Sequence, residues 1–166
     1  VLFVPGQLSK PKEVMPYLST LMDREDISVY LTFRSYKDAF EEQLMESNSE
    51  IIEKIGKEKI FRGNIHDAIS ECDIIIGPNS TAVLEALLQL KPIVFFKTEK
   101  WGDYFDLRGY DLKYKFFVEN PEKLVDSIKK GVDVPQDVLR KLQDRFFGDP
   151  YQNGGKWVVD QFNGIL

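Results

Sequence analysis

The sequence predicts an α/β domain built on a doubly wound parallel sheet, and three observations carry that prediction. Strand-sized apolar runs alternate with amphipathic helical runs from end to end. The strand runs are continuously hydrophobic rather than alternating, as a sheet covered by helices on both faces requires. The 166 residues suit one domain, since domains cluster at about 100–150 residues.

The first strand is Val1-Leu2-Phe3-Val4, broken by Pro5-Gly6. Residues 11–24 carry Val14, Leu18, Leu21 and Met22 at the i, i+4, i+7, i+8 spacing of an amphipathic helix. Residues 27–33, rich in β-branched and aromatic side chains, form a second strand. Residues 36–55 read as a helix with a charged outer face, interrupted at Ser47-Asn48-Ser49. Lys59-Ile60-Phe61-Arg62 is a short third strand, and residues 65–72 form a short helix through Ile65, Ala68 and Ile69. The clearest βαβ unit follows. It consists of the strand Asp73-Ile74-Ile75-Ile76, the turn Gly77-Pro78-Asn79, a helix over 80–90 and the strand Pro92-Ile93-Val94-Phe95-Phe96. Residues 97–113 have no period and read as a long loop, with a last strand at 114–118. Asn120-Pro121 opens a helix that stops at Gly131, and residues 136–147 and 156–162 form C-terminal helices around a Gly148-Asp149-Pro150 break.

Composition removes several function classes. With 22 Lys+Arg against 27 Asp+Glu the net charge is −5, against the basic face of a nucleic-acid binder. At 43% hydrophobic the chain can bury a core, so it is not disordered. No apolar run reaches the roughly 18 residues needed to cross a membrane. A single cysteine, Cys72, excludes an intramolecular disulfide and reads as packing, which fits a reducing, cytoplasmic setting. One histidine and no cysteine pair leave no expected metal site, and no cofactor is expected. The chain opens inside a strand without an initiator Met, so residues 1–166 are expected to be a single domain of a longer protein.

In a doubly wound sheet the ligand sits beyond the carboxyl ends of the strands, at the topological switch point. That places residues 5–9, 33–36, 62–67, 77–81 and 97–106 at one edge. The strongest signal there is Gly77-Pro78-Asn79-Ser80-Thr81 followed by Glu85. Free backbone N–H groups at the helix start suit a phosphate, the Ser80 and Thr81 hydroxyls add donors, and Glu85 suits a ribose diol. The same residues serve equally well as ordinary caps of a core helix. His66, with Gly63-Asn64 before it, either contacts a base, takes a proton or is a surface residue.

Gly6 lies in a loop that approaches phosphate without the spacing of a P-loop or a dinucleotide fingerprint. Arg34 either pairs a phosphate bidentately or is a solvated loop residue. Lys97, Asp103 and Tyr104 share the long loop, and loops of this length are often functional. Its aromatics, Trp101, Tyr104, Phe105 and Tyr110, suit packing on a neighbouring domain as well.

The stretch from Asn64 to Lys97 resembles the nucleotide-binding half of GT-B glycosyltransferases. Ser80-Thr81-Ala82-Val83-Leu84-Glu85 through Lys97 is similar to a block of lipid A disaccharide synthases. Asp103-Tyr104-Phe105-Asp106-Leu107-Arg108-Gly109-Tyr110, with Asn153-Gly154-Gly155-Lys156, resembles the tail of CDP-glycerol glycerophosphotransferases. That family has His-Pro where this chain has Arg34-Ser35, and Asp-Tyr where it has Pro78-Asn79. The glutamate pair of one retaining subset is absent, since its first member falls on Gly77.

The resemblance implies a transferase that takes a CDP- or UDP-linked donor in bacterial surface-polysaccharide synthesis. Gly6, Arg34, Gly63, Asn64, His66, Gly77, Asn79, Ser80, Thr81 and Glu85 would hold the nucleotide, and Lys97, Asp103 and Tyr104 the transferred group. His66 and Asp103 are the catalytic candidates, and no metal is implied. The chain would be the C-terminal half of a two-domain enzyme, its partner the N-terminal acceptor-binding domain, the whole lying in the cytoplasm or at the inner face of the membrane. Alone it would be inactive. The alternatives are a nucleotide-sugar epimerase of the same fold and a non-catalytic nucleotide- or protein-binding module.

Overall fold

The computed structural model describes residues 1–6, 9–33 and 38–148. Its strands are β1 (Leu2–Phe3), β2 (Tyr30–Phe33), β3 (Ile60–Arg62), β4 (Ile75–Gly77), β5 (Ile93–Phe96) and β6 (Phe117–Val118). All six are parallel in one sheet of order β3-β2-β1-β4-β5-β6. The chain winds outward from β1 through β2 to β3, then returns to the other side of β1 to lay down β4, β5 and β6. The switch point is therefore between β1 and β4.

Successive side chains of a strand point to opposite faces, so each apolar strand feeds two cores. Leu2, Val4, Ile75 and Phe95 face one core, under α3 (Ile65–Ser70), α4 (Thr81–Leu84) and α6 (Gln136–Phe147). Phe3, Ile74, Ile76, Val94 and Phe96 face the other, under α1 (Pro11–Met22), α2 (Ala39–Ile55) and α5 (Leu124–Gly131). This is the doubly wound arrangement expected from the strand composition. Gly77 lets β4 and β1 approach at the switch point: a Cβ there would lie 2.4 Å from the Val4 carbonyl oxygen and 2.8 Å from Val83 Cγ2.

Local differences from the sequence reading have local causes. The interruption in α2 is at Asn48, with φ −151° and ψ 45°. The helix expected over 80–90 is one α-turn, α4, tightened into a 3-10 turn at Glu85–Gln89. It ends at Leu90, whose φ of 52° is left-handed, turning the chain toward Pro92 and β5. The last strand is only Phe117–Val118, because the Asp111 carboxylate accepts from the Lys113 and Tyr114 amides (2.8 and 3.3 Å) and holds that turn out of the sheet.

The segment between β5 and β6 has no regular element, yet Leu107, Tyr114 and Phe116 anchor it in the core. Phe105 packs on Phe95 and Phe146 (ring centroids 4.8 and 5.8 Å) and Tyr110 on Phe116 (5.9 Å), so much of this loop's aromatic surface is covered within the chain. The helix expected over 156–162 and the Asn153-Gly154-Gly155-Lys156 motif lie outside the described residues. Among the described residues no helix is long and apolar enough to cross a membrane.

Candidate functional site

A cleft of about 480 Å³ opens at the carboxyl edge of the sheet, over the switch point. The end of β1 contributes Val4, Pro5, Gly6 and Ser9, and β2 and the start of α2 contribute Thr32, Phe33 and Asp38. Gly63 and Ile65 come from the β3 side, Asn79, Ser80, Thr81 and Ala82 from the turn after β4, and Trp101 from the loop after β5. Each of the five segments that strand order assigns to this edge thus reaches the cleft. Gly6 brings two of them together: a Cβ there would meet Pro78 Cγ at 2.8 Å and Ser9 Oγ at 3.0 Å.

The turn after β4 is the polar wall. Ser80 occupies the N-cap position of α4 with φ −142° and ψ 132°, the geometry in which a serine usually caps. Its side chain makes no capping hydrogen bond. Beside it, Asn79 Oδ1 is buried without a hydrogen-bond partner among the described residues. Buried polar atoms in folded proteins are nearly always paired, so this wall carries unused hydrogen-bonding capacity. Gly77 is buried behind it and supports the wall by close packing.

His66 and Glu85 meet at the margin of the cleft, with His66 Nε2 3.4 Å from Glu85 Oε2. Asn64 is an N-cap, its Oδ1 accepting from the His66 amide at 3.0 Å. Gln89 Nε2 donates to the His66 carbonyl at 2.9 Å, so α3 and the 3-10 turn are tied together beneath the pair. Asn64, His66 and Glu85 are not among the described residues that line the cleft.

The long loop divides differently from the sequence reading. Asp103 accepts from the Leu107 and Arg108 amides at 2.9 and 2.6 Å, closing a turn within the loop. Tyr104 is 68% exposed, with its ring edge-on to Trp101 and Phe105. Lys97 is exposed, and its amide donates to the Val118 carbonyl. It is Trp101, held in a turn by the Thr98 amide bonding its carbonyl at 3.0 Å, that reaches the cleft. Arg34 lies outside the described residues.

Sequence reasoning passed over Asp38 and Thr32. Asp38 is 8% exposed, and its Oδ1 accepts from the Phe40 and Glu41 amides at 3.0 and 3.2 Å, capping α2 at the cleft floor. The signal was present: Asp38 stands three residues before Glu41, the spacing of a capping box, and helices after strands start at this edge. Among the described residues no group of three or more His, Cys, Asp or Glu is placed to hold a metal ion.

No protein-family model matches the chain, and no curated protein or solved structure is significantly similar to it. The chemistry is therefore read from the site itself. Neither catalytic candidate, His66 nor Asp103, is among the described residues that line the cleft, whose carboxylate is that of Asp38. The walls present hydroxyl and amide groups on one side, an indole on another and aliphatic surface between.

Proposed function

We propose that this chain is the donor-nucleotide-binding domain of a GT-B type transferase acting in bacterial surface-polysaccharide synthesis. The observation that carries the reading is the cleft at the switch point, with Ser80 and Asn79 on its wall lacking the hydrogen bonds that a purely structural turn would give them. A volume of about 480 Å³ falls in the range of small-molecule sites. In this reading the diphosphate lies against the Ser80 and Thr81 hydroxyls and the Thr81 and Ala82 amides at the start of α4. The base occupies the side of Gly63 and Ile65, and Glu85, steadied by His66, takes the ribose hydroxyls. The transferred group then points toward Trp101.

The same groups would promote transfer. As the bond to the donor breaks, negative charge grows on the phosphate of the departing nucleoside diphosphate (or CMP), and donors already aimed there would stabilise it without reorganising. The acceptor and the proton acceptor come from an N-terminal partner domain, with the whole enzyme in the cytoplasm or at the inner face of the membrane. A non-catalytic nucleotide-binding module is favoured by one observation, the distance of His66 and Asp103 from the cleft lining. Product analysis of the full-length protein with CDP- and UDP-linked donors separates that module from a transferase and from an epimerase.

The direct test is calorimetry with CDP, UDP and GDP, paired with fluorescence of a Trp157→Phe variant in which Trp101 is the remaining tryptophan. A nucleoside diphosphate is expected to bind and to change the Trp101 emission. If none of the three binds, the reading fails.

A further inference from the structure

We propose a second binding site, for a phosphate group, in a cavity of about 310 Å³ beside β6 at the outer edge of the sheet. The site is separate from the switch-point cleft and independent of the function proposed for it. Four cations from four segments line the cavity: Arg108, Lys115, Lys123 and Lys130. Two are already neutralised, Arg108 Nη2 by Glu119 Oε1 and Lys130 Nζ by Asp126 Oδ2, each at 2.8 Å. Lys115 and Lys123 have no ion-pair partner among the described residues. A concave spot with two uncompensated positive charges stands out on a chain of net charge −5.

A second observation comes from Ser127. It is 1% exposed, it lines the cavity, and its hydroxyl has no hydrogen-bond partner among the described residues. The hydroxyl is not fully enclosed but opens onto the cavity, where it is free to donate to an anion. Phe117 and Val118 form the apolar wall of the cavity, where reduced access of water strengthens charge interactions. A dianionic phosphate matches two free ammonium groups and a hydroxyl donor. The volume leaves room for an organic substituent, so the natural ligand is a phosphate ester. It is either a soluble metabolite or the headgroup of an anionic lipid.

The test is a titration of the chain with inorganic phosphate, followed by amide NMR, so that signals of residues 123–127 report this cavity and signals of residues 79–82 report the cleft. Phosphate is expected to shift the 123–127 signals. The response should weaken about tenfold in the Lys115→Gln/Lys123→Gln variant and severalfold in Ser127→Ala. A Lys12→Gln/Lys141→Gln variant with the same net charge should behave as wild type. Vesicles of phosphatidylcholine with and without phosphatidic acid distinguish the sources: retention on the acidic vesicles, lost in the Lys115/Lys123 variant, identifies a lipid headgroup. Binding of phosphate without such retention identifies a soluble ester. If the 123–127 signals do not move, or move equally in the Lys115/Lys123 variant, the site does not exist.

Discussion

Ser80 adopts the backbone of an N-cap and its carbonyl accepts from the Val83 amide at 3.1 Å, while its hydroxyl makes no capping bond, and that separates its two readings. A capping serine replaced by alanine costs about 0.5–2 kcal/mol of stability. Without the capping bond, Ser80→Ala combined with Thr81→Val is expected to cost less than about 0.5 kcal/mol. Its affinity for CDP and UDP should fall about tenfold for both, because the wall reads phosphate rather than base. Melting temperatures and calorimetry on one preparation decide it, and a larger loss of stability than of affinity would reduce this turn to a cap. Tyr17 supports a second prediction at the same scale. It is 4% exposed and donates to the Glu119 carbonyl at 3.0 Å. Burial, and then the carboxylates of Glu122 and Glu119, push its pKa up from 10.0 to about 12. The folded chain therefore keeps a proton that the unfolded chain releases near pH 10. Tyr17's contribution is fully present below pH 10 and declines as pH rises from 10 to 12. Tyr17→Phe cannot lose that contribution, so urea unfolding at pH 8 and pH 11 should show wild type's advantage over the variant shrinking. A constant difference between the two would refute the shift.

Between elements, the joint that positions the polar wall is the contact of α6 with the 3-10 turn after α4. Gln143, 7% exposed, reaches across it to donate to the Leu87 carbonyl at 2.9 Å. Leu139 and Leu142 of α6 share a core with Val83, Ala86 and Leu87. The Leu87 carbonyl already accepts from the Leu90 amide at 3.0 Å, and the glutamine adds a second bond that ties α6 to the turn in an apolar setting. Gln143→Leu keeps the bulk, and the Leu87 carbonyl keeps its bond from the Leu90 amide, so the loss is that of one hydrogen bond across the joint, about 0.5–1.5 kcal/mol. Denaturant unfolding measures that loss. A variant as stable as wild type would mean that the joint rests on apolar packing alone.

For the molecule as a whole, the sheet puts five segments far apart in sequence around one cleft, while neither catalytic candidate lines it. In the proposed two-domain enzyme the acceptor and the proton acceptor belong to the other half. The purified chain is therefore expected to bind nucleoside diphosphates and to release neither UDP from UDP-glucose nor CMP from CDP-glycerol in the presence of polysaccharide acceptors. Release of UDP or CMP on incubation with the respective donor measures this directly. Turnover by this chain alone would sink the two-domain reading.

Local patterns along the chain were enough to read the class of fold and the edge at which the cleft opens. Runs such as Ile74-Ile75-Ile76 and Ile93-Val94-Phe95-Phe96 are apolar on both strand faces, and the helices between them have a 3.6-residue stripe. Both are local patterns, and with right-handed crossovers they leave little freedom in topology. The turn Gly77-Pro78-Asn79-Ser80-Thr81 was legible for the same reason, since a strand-to-helix turn in such a sheet must face the carboxyl edge. What only the tertiary structure decided depends on contacts between residues distant in sequence. The meeting of His66 with Glu85 is one, and the arrival of Asp38 at the cleft floor is another. In the loop after β5, Asp103 bonds the Leu107 and Arg108 amides, and it is Trp101 rather than Asp103 or Tyr104 that reaches the cleft. That loop has no period to read. Its path follows from packing of Phe105, Leu107 and Phe116 against β5 and α6, which no local spacing encodes.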